Sequence, residues 1–199
     1  MSEGKNVFYR RFHWWVAPLV RLFFPLDVRG REHVSNEALV LCPNHSSALD
    51  PILLVCALRY DMPVCMMAKK QLMEIPILGW FLRKMGAFGV DRGNADIGAI
   101  KNSIRCLREG NKLMIFPEGT RVKEGEEVDA KGGAAMIAIR SGVRMQPVYI
   151  ATKKRLFRKT KIVFGPVYTP VYSGKKGTAS EYQANVEEIM RQVKELGEQ

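Results

Sequence analysis

Short runs rich in valine, isoleucine and leucine recur along the chain. Between them lie stretches in which apolar residues return at helical spacing. The runs at 38–42, 64–68, 87–90, 112–116, 145–151 and 161–164 are short, and turn formers bound several of them, which predicts strands. Helical spacing predicts helices at 50–58, 76–85, 94–109, 131–140 and 179–196. In the third of these, Ile97, Ile100, Ile104 and Leu107 form a stripe, with Asn94 as the expected cap and Gly110 as the stop. In the last, Tyr182, Val186, Ile189, Val193 and Leu196 share a face. Both stripes read as core. Strand–helix alternation of this kind predicts a single α/β domain with a mostly parallel or mixed sheet flanked by helices. No internal repeat or low-complexity segment interrupts it.

Residues 8–24 differ from the rest. They hold seven of the chain's 18 aromatic residues, while Arg10, Arg11, His13 and Arg21 make a polar sector on a helical wheel. At ~1.5 Å per residue the segment reaches only about 25 Å, short of a bilayer core. Tryptophan favours the headgroup zone and arginine extends toward phosphates, so the segment reads as an amphipathic helix lying on a membrane. The alternative is a first helix packed on its own domain. Pro18 is expected to kink the helix and Pro25 to end it.

Length and composition set the bounds. The 199 residues are 47% apolar, enough for one cored domain. A net charge of +11 favours an anionic partner: nucleic acid, a phospholipid surface or an acidic carrier protein. None of the usual nucleic-acid motifs occurs. Cys42, Cys56, Cys65 and Cys106 lie in apolar stretches without a C-x-x-C pair and read as buried, reduced thiols of a cytoplasmic protein. His13, His33 and His45 show no ligand spacing, so no metal is expected. There is no secretory signal and no apolar run near the ~18 residues of a spanning helix. Six of the nine residues at 153–161 are cationic, with Leu156 and Phe157 among them; between two strands this reads as a hairpin tip for an anionic leaflet, an acidic carrier or solvent.

Candidate chemistry begins at Asn44-His45-Ser46-Ser47-Ala48-Leu49-Asp50. A histidine titrates near neutrality and can take a proton from a hydroxyl, and a carboxylate can fix its tautomer. Five positions apart on a helix the two side chains would diverge by about 140°. They can meet only if His45 sits in the turn and Asp50 at the helix start. Asp50 before Pro51 favours that as an N-cap followed by a first-turn proline. No Gly-x-Ser-x-Gly elbow supplies a serine nucleophile, which points to direct attack by a substrate hydroxyl. The second stretch is Phe116-Pro117-Glu118-Gly119-Thr120-Arg121, where Gly119 permits close backbone approach and Arg121 offers a fork for phosphate oxygens. Glu118 is placed to hold that guanidinium or to bond a substrate hydroxyl. The third, Gly86 to Arg92, offers Arg92 as a second phosphate ligand, and Lys69 ends another strand. In α/β domains ligands gather at the carboxyl ends of strands, where all of these residues fall.

This set resembles the glycerolipid acyltransferase family. The first block, Asn-His-x-Ser-x-x-Asp (the HX4D motif), matches residues 44–50 and the third, Phe-Pro-Glu-Gly-Thr-Arg, matches 116–121 throughout. Residues 86–92 and Pro147-Val148 are similar to the second and fourth blocks. Phenylalanine falls one place early in the second block, Gly89 stands where a bulkier residue is common, and Gln146 replaces an apolar residue in the fourth. With the amphipathic segment read as a membrane-interface helix over 1–27, the resemblance implies an acyltransferase domain over 28–199. It implies that His45, oriented by Asp50, deprotonates the sn-2 hydroxyl of 1-acylglycerol 3-phosphate (lysophosphatidate). It implies too that Arg92 and Arg121, with Lys69, Glu118 and Gly119, hold the phosphate. The donor is acyl-CoA or acyl-[acyl carrier protein], with no cofactor, and the product is phosphatidate. The expected setting is the cytoplasmic face of the cell membrane, with the protein peripheral on anionic phospholipid. Glycerol 3-phosphate or a lyso-aminolipid is the alternative acceptor, and a non-catalytic basic module binding lipid or nucleic acid the alternative class.

Overall fold

The computed structural model describes the chain except residues 1–2, 92–95, 124 and 127. Two helices open it, α1 (Glu3–Trp15) and α2 (Ala17–Phe23), followed by β1 (Leu26–Arg29). Then come β2 (Leu39–Pro43), α3 (Asp50–Ala57), β3 (Val64–Lys69), α4 (Lys70–Glu74), α5 (Pro76–Lys84) and β4 (Ala87–Val90). The second half holds α6 (Ile97–Arg108), β5 (Lys112–Met114), α7 (Gly133–Ser141), β6 (Arg144–Ile150), β7 (Thr160–Phe164) and α8 (Ala179–Glu198).

The strands form one sheet in the order β1-β7-β6-β2-β5-β3-β4. Pairing is parallel from β6 across β2, β5 and β3 to β4; β7 runs antiparallel to β6, and β1 pairs parallel with β7. The sheet is therefore mixed, with a parallel centre. Every residue of β2 is buried, as a strand covered on both faces requires. Leu39 and Leu41 pack with Tyr9, Phe12, Leu53 and Leu54 on one face. Val40 and Cys42 pack with α7 and with Val186 and Ile189 of α8 on the other. A reciprocal capping box at Thr178 and Glu181 starts α8, and of its expected apolar stripe Val186, Ile189, Val193 and Leu196 are buried while Tyr182 is half-buried.

Several elements depart from expectation. The edge strand β1 is only four residues long and carries Asp27 and Arg29, so it lacks an apolar run. The five-residue α4 is too short to show a period. Asp96, not Asn94, caps α6 by accepting from the Ala99 amide; Asn94 lies outside the described residues. That helix buries Ala99, Ser103, Cys106 and Leu107 and leaves Ile97 exposed, because its small residues face the sheet. Cys42 and Cys56 are buried thiols, but Cys65 on β3 and Cys106 on α6 are joined in a disulfide, their Cα atoms 6.6 Å apart. Reduced cysteines therefore supply no argument for a reducing compartment.

The N-terminal segment combines both alternatives weighed for it. Helical backbone continues through Val16 into α2, with Pro18 in the first turn, where its missing N–H is tolerated. Tyr9, Phe12 and Ala17 are buried in the domain core, whereas Trp14 and Trp15 are 72% and 78% exposed. Phe8 meets the ring edges of Trp80 and Phe81, so α1 packs beside α5, which exposes Ile77 and Trp80.

Candidate active site

The chain leaves β2 at the carboxyl edge of the sheet. There Asn44 fixes the exit: its Nδ2 donates to Ile150 O and its Oδ1 accepts from Ile150 N, at 2.9 and 2.7 Å. The first block of the sequence thus begins with a side-chain clamp between β2 and β6. His45 follows in the turn and Asp50 at the first residue of α3, the arrangement their spacing demanded. His45 Nδ1 lies 3.0 Å from Asp50 Oδ2, and the carboxylate is fully buried.

Asp50 is not the expected N-cap: Leu49 holds that position and Asp50 is the first helical residue. Its Oδ2 accepts the amides of Ser46 and Ser47, both at 2.7 Å, and so ties down the turn before the helix rather than the helix's own first amides. Its Oδ1 faces the Lys154 ammonium at 2.5 Å in an ion pair, with no aligned hydrogen-bond donor among the described residues. Burial pushes this carboxyl up, but the bonds from His45 and Ser47 and the charge of Lys154 outweigh it and hold it below its ordinary value. Asp50 stays ionised, so it can orient His45 through Nδ1 and leave Nε2 for proton transfer.

The Phe116–Arg121 turn meets this pair directly. The Phe116 ring stacks on His45 with centroids 4.0 Å apart. Glu118 Oε2 accepts the His45 amide at 2.6 Å, and the Val122 amide donates to His45 O at 2.8 Å. Glu118 therefore braces the histidine backbone and forms no ion pair with Arg121. Burial raises the Glu118 carboxyl to about 7, assisted by the Asp50 charge and opposed by the bond from His45. Gly119 adopts φ +67°, a left-handed conformation that favours glycine, and the Lys131 stem lies against it. Arg121 is exposed next to the Val122–His45 bond.

Other expected residues lie further out. Lys69 is exposed at the carboxyl end of β3, two strands from β2 and so roughly 10 Å away along the sheet edge. Arg92 lies outside the described residues. Gln146 is buried, its Nε2 donating to Gly165 O, which accounts for a polar residue in the fourth block. Phe116, Asn44 and Lys154 were not among the expected site residues. The first two stand inside recognised blocks, but nothing separates Lys154 from its five neighbouring cations except its burial. Among the described residues no three His, Cys, Asp or Glu side chains group as metal ligands.

The fold and this carboxyl-edge constellation agree with the comparison to known families: residues 25–151 match the family described as Acyltransferase, and the chain belongs to it. Among relatives, a 1-acyl-sn-glycerol-3-phosphate acyltransferase of Bacillus subtilis is 33% identical over 184 residues, covering 86% of this chain and 90% of its own. Its Streptococcus pneumoniae namesake is 34% identical over 155 residues, covering 73% of this chain and 55% of that protein. The chain spans about half the length of several curated relatives it matches. The crystal structure of the 1-acyl-sn-glycerophosphate acyltransferase PlsC from Thermotoga maritima superposes with a TM-score of 0.69 at 26% identity, over 98% of this chain and 79% of that one.

Proposed function

We propose that the protein transfers a fatty acyl group from a thioester, acyl-CoA or acyl-[acyl carrier protein], to the sn-2 hydroxyl of lysophosphatidate. The observation that carries the reading is the His45–Asp50 pair, braced on the Phe116–Arg121 turn through the His45 amide. His45 Nε2 takes the hydroxyl proton as the oxygen attacks the thioester carbonyl. The tetrahedral intermediate collapses, the C–S bond breaks, and the departing thiolate takes the proton from the imidazolium. Asp50 steadies the imidazolium between those events. Arg121 and Arg92, with Lys69, supply cations for the acceptor phosphate, while Gly119 lets it approach the backbone. Names of relatives support the acceptor: two of them, from separate bacteria, are 1-acyl-sn-glycerol-3-phosphate acyltransferases.

The protein works as a peripheral protein on the leaflet facing the cytoplasm. Among the described residues no helix is long and apolar enough to cross a membrane. Trp14, Trp15, Leu19 and Leu22 of the N-terminal helices are exposed, as are Leu156 and Phe157. The Phe157 amide bonds Phe23 O and the two rings lie 5.7 Å apart, so the β6–β7 loop sits beside the end of α2. Apolar side chains flanked by arginine and lysine suit an anionic interface.

The test is transfer to lysophosphatidate in vesicles, with acyl-CoA and acyl-carrier donors side by side and a lyso-aminolipid and glycerol 3-phosphate as competing acceptors. Lysophosphatidate is expected to win, and Arg121→Ala to raise its KM about tenfold. Equal turnover of an acceptor without phosphate, unaffected by Arg121→Ala, would overturn the acceptor assignment.

A further inference from the structure

Lys154 was one cation in a basic run, yet its side chain is only 3% exposed. It leaves the β6–β7 loop and turns inward beneath the catalytic turn. Its Nζ lies 2.5 Å from Asp50 Oδ1 and donates to Ser46 Oγ at 2.6 Å. A lysine is almost never buried without a partner, and here the partner is the carboxylate that touches His45. The loop is held independently, since the Phe157 and Thr160 amides donate to Phe23 O and Pro25 O. The inward turn of Lys154 is therefore not needed to close the hairpin.

We propose that Lys154 is a positioning residue for the His45–Asp50 pair, resting on the general-base reading of His45. Asp50 Oδ2 takes three N–H groups, from His45, Ser46 and Ser47. Without Lys154, Oδ1 would be a buried anionic oxygen with nothing to fix the carboxylate plane. The ammonium pins that oxygen, and through Ser46 Oγ it pins the turn carrying His45. It also makes Asp50 a poor proton acceptor, so the proton taken from the substrate stays on the imidazole. Among the described residues the charged and titratable groups around this point are His45 from the turn, Asp50 from α3, Glu118 from the opposing turn and Lys154 itself. Before transfer Lys154 and Asp50 balance one another. Loss of the cation leaves Asp50 uncompensated beside His45, which favours the protonated ring.

The experiment measures kcat, KM and the pH profile for Lys154→Met and Lys154→Arg on lysophosphatidate vesicles, with His45→Ala alongside. Lys154→Met is expected to lower kcat at least tenfold with KM for the acceptor changed less than about twofold. The acid limb of its rate profile is expected to move up by about one pH unit. Lys154→Arg should restore kcat to within about threefold. Because the single variant exposes an unpaired buried carboxylate, Asp50→Asn and Asp50→Asn/Lys154→Met are compared as well. A residue acting through Asp50 gives a double variant no slower than Asp50→Asn within about threefold. Multiplying losses would overturn the proposal, as would a kcat and profile unchanged in Lys154→Met. If His45→Ala retains turnover, the general-base reading fails and the proposal with it. If His45→Ala is dead while Lys154→Met is normal, only the role of Lys154 fails.

Discussion

The charge on single residues explains why two carboxylates in one pocket behave differently. Asp50 is buried yet held ionised by one cation, one imidazole and backbone amides. Glu118 has one backbone donor and feels Asp50, so burial wins and lifts it to about 7 from an ordinary 4.5. The folded protein then binds more protons than the unfolded chain between those values. Its contribution is full below pH 4.5 and is lost as pH rises through about 7. Glu118→Gln keeps an oxygen for the His45 amide and cannot ionise. It is expected to melt higher than wild type at pH 8, by about 1 kcal/mol once solvent screening is allowed for, and to show no such gain at pH 4. A thermal melt at the two pH values measures the difference; equal melting at both would contradict it. The partners of Glu118 could not be read from the sequence. A glutamate beside an arginine invites a salt bridge, and only tertiary structure brings the His45 amide, 73 positions away, to its oxygen.

Elements were legible where periodicity was long and strong. Strands β2 to β7 and helices α3, α5, α6, α7 and α8 lie within a few residues of expectation; β2, β6 and β7 are nearly all buried, and α3, α7 and α8 each bury an apolar face. The failures were short or polar pieces, β1 and α4, whose conformation comes from the sheet edge and the neighbouring turn. The N-terminal helices show a further limit. Composition revealed their amphipathic character but not that Tyr9 and Phe12 enter the main core. His13 lies at that junction, tilted against the Tyr9 ring at 4.8 Å, with its Nε2 buried and without a hydrogen-bond partner among the described residues. Burial, with Arg21 and Arg31 nearby, lowers it to about 4 from 6.5. The fold therefore holds His13 neutral; that contribution is present above pH 6.5 and is lost as pH falls toward 4. Tryptophan fluorescence from Trp14 and Trp15 is expected to report loosening of α1 in this window. His13→Gln is expected to flatten the transition, and an unchanged transition would contradict the account.

At the scale of the whole molecule, parallel strands deliver the first and third blocks to one edge, and β6 delivers Lys154 to the same place. That convergence was legible because strand ends are where α/β domains gather ligands. The end of α2 stands beside the β6–β7 loop, the same loop that carries Lys154 to Asp50. Trp14→Ser/Trp15→Ser is expected to weaken partition to anionic vesicles about a hundredfold, roughly tenfold per indole removed from the interface. A sedimentation assay measures it, and unaltered partition would move the membrane-facing surface elsewhere.

In the proposed reaction His45 is the base that activates the acceptor hydroxyl. The direct measurement is the initial rate of acyl transfer to lysophosphatidate by wild type and His45→Ala, at matched vesicle binding and with the fold verified by melting. Loss of at least about 100-fold in kcat is the predicted result. A His45→Ala protein that is folded, bound and within tenfold of wild type would contradict it.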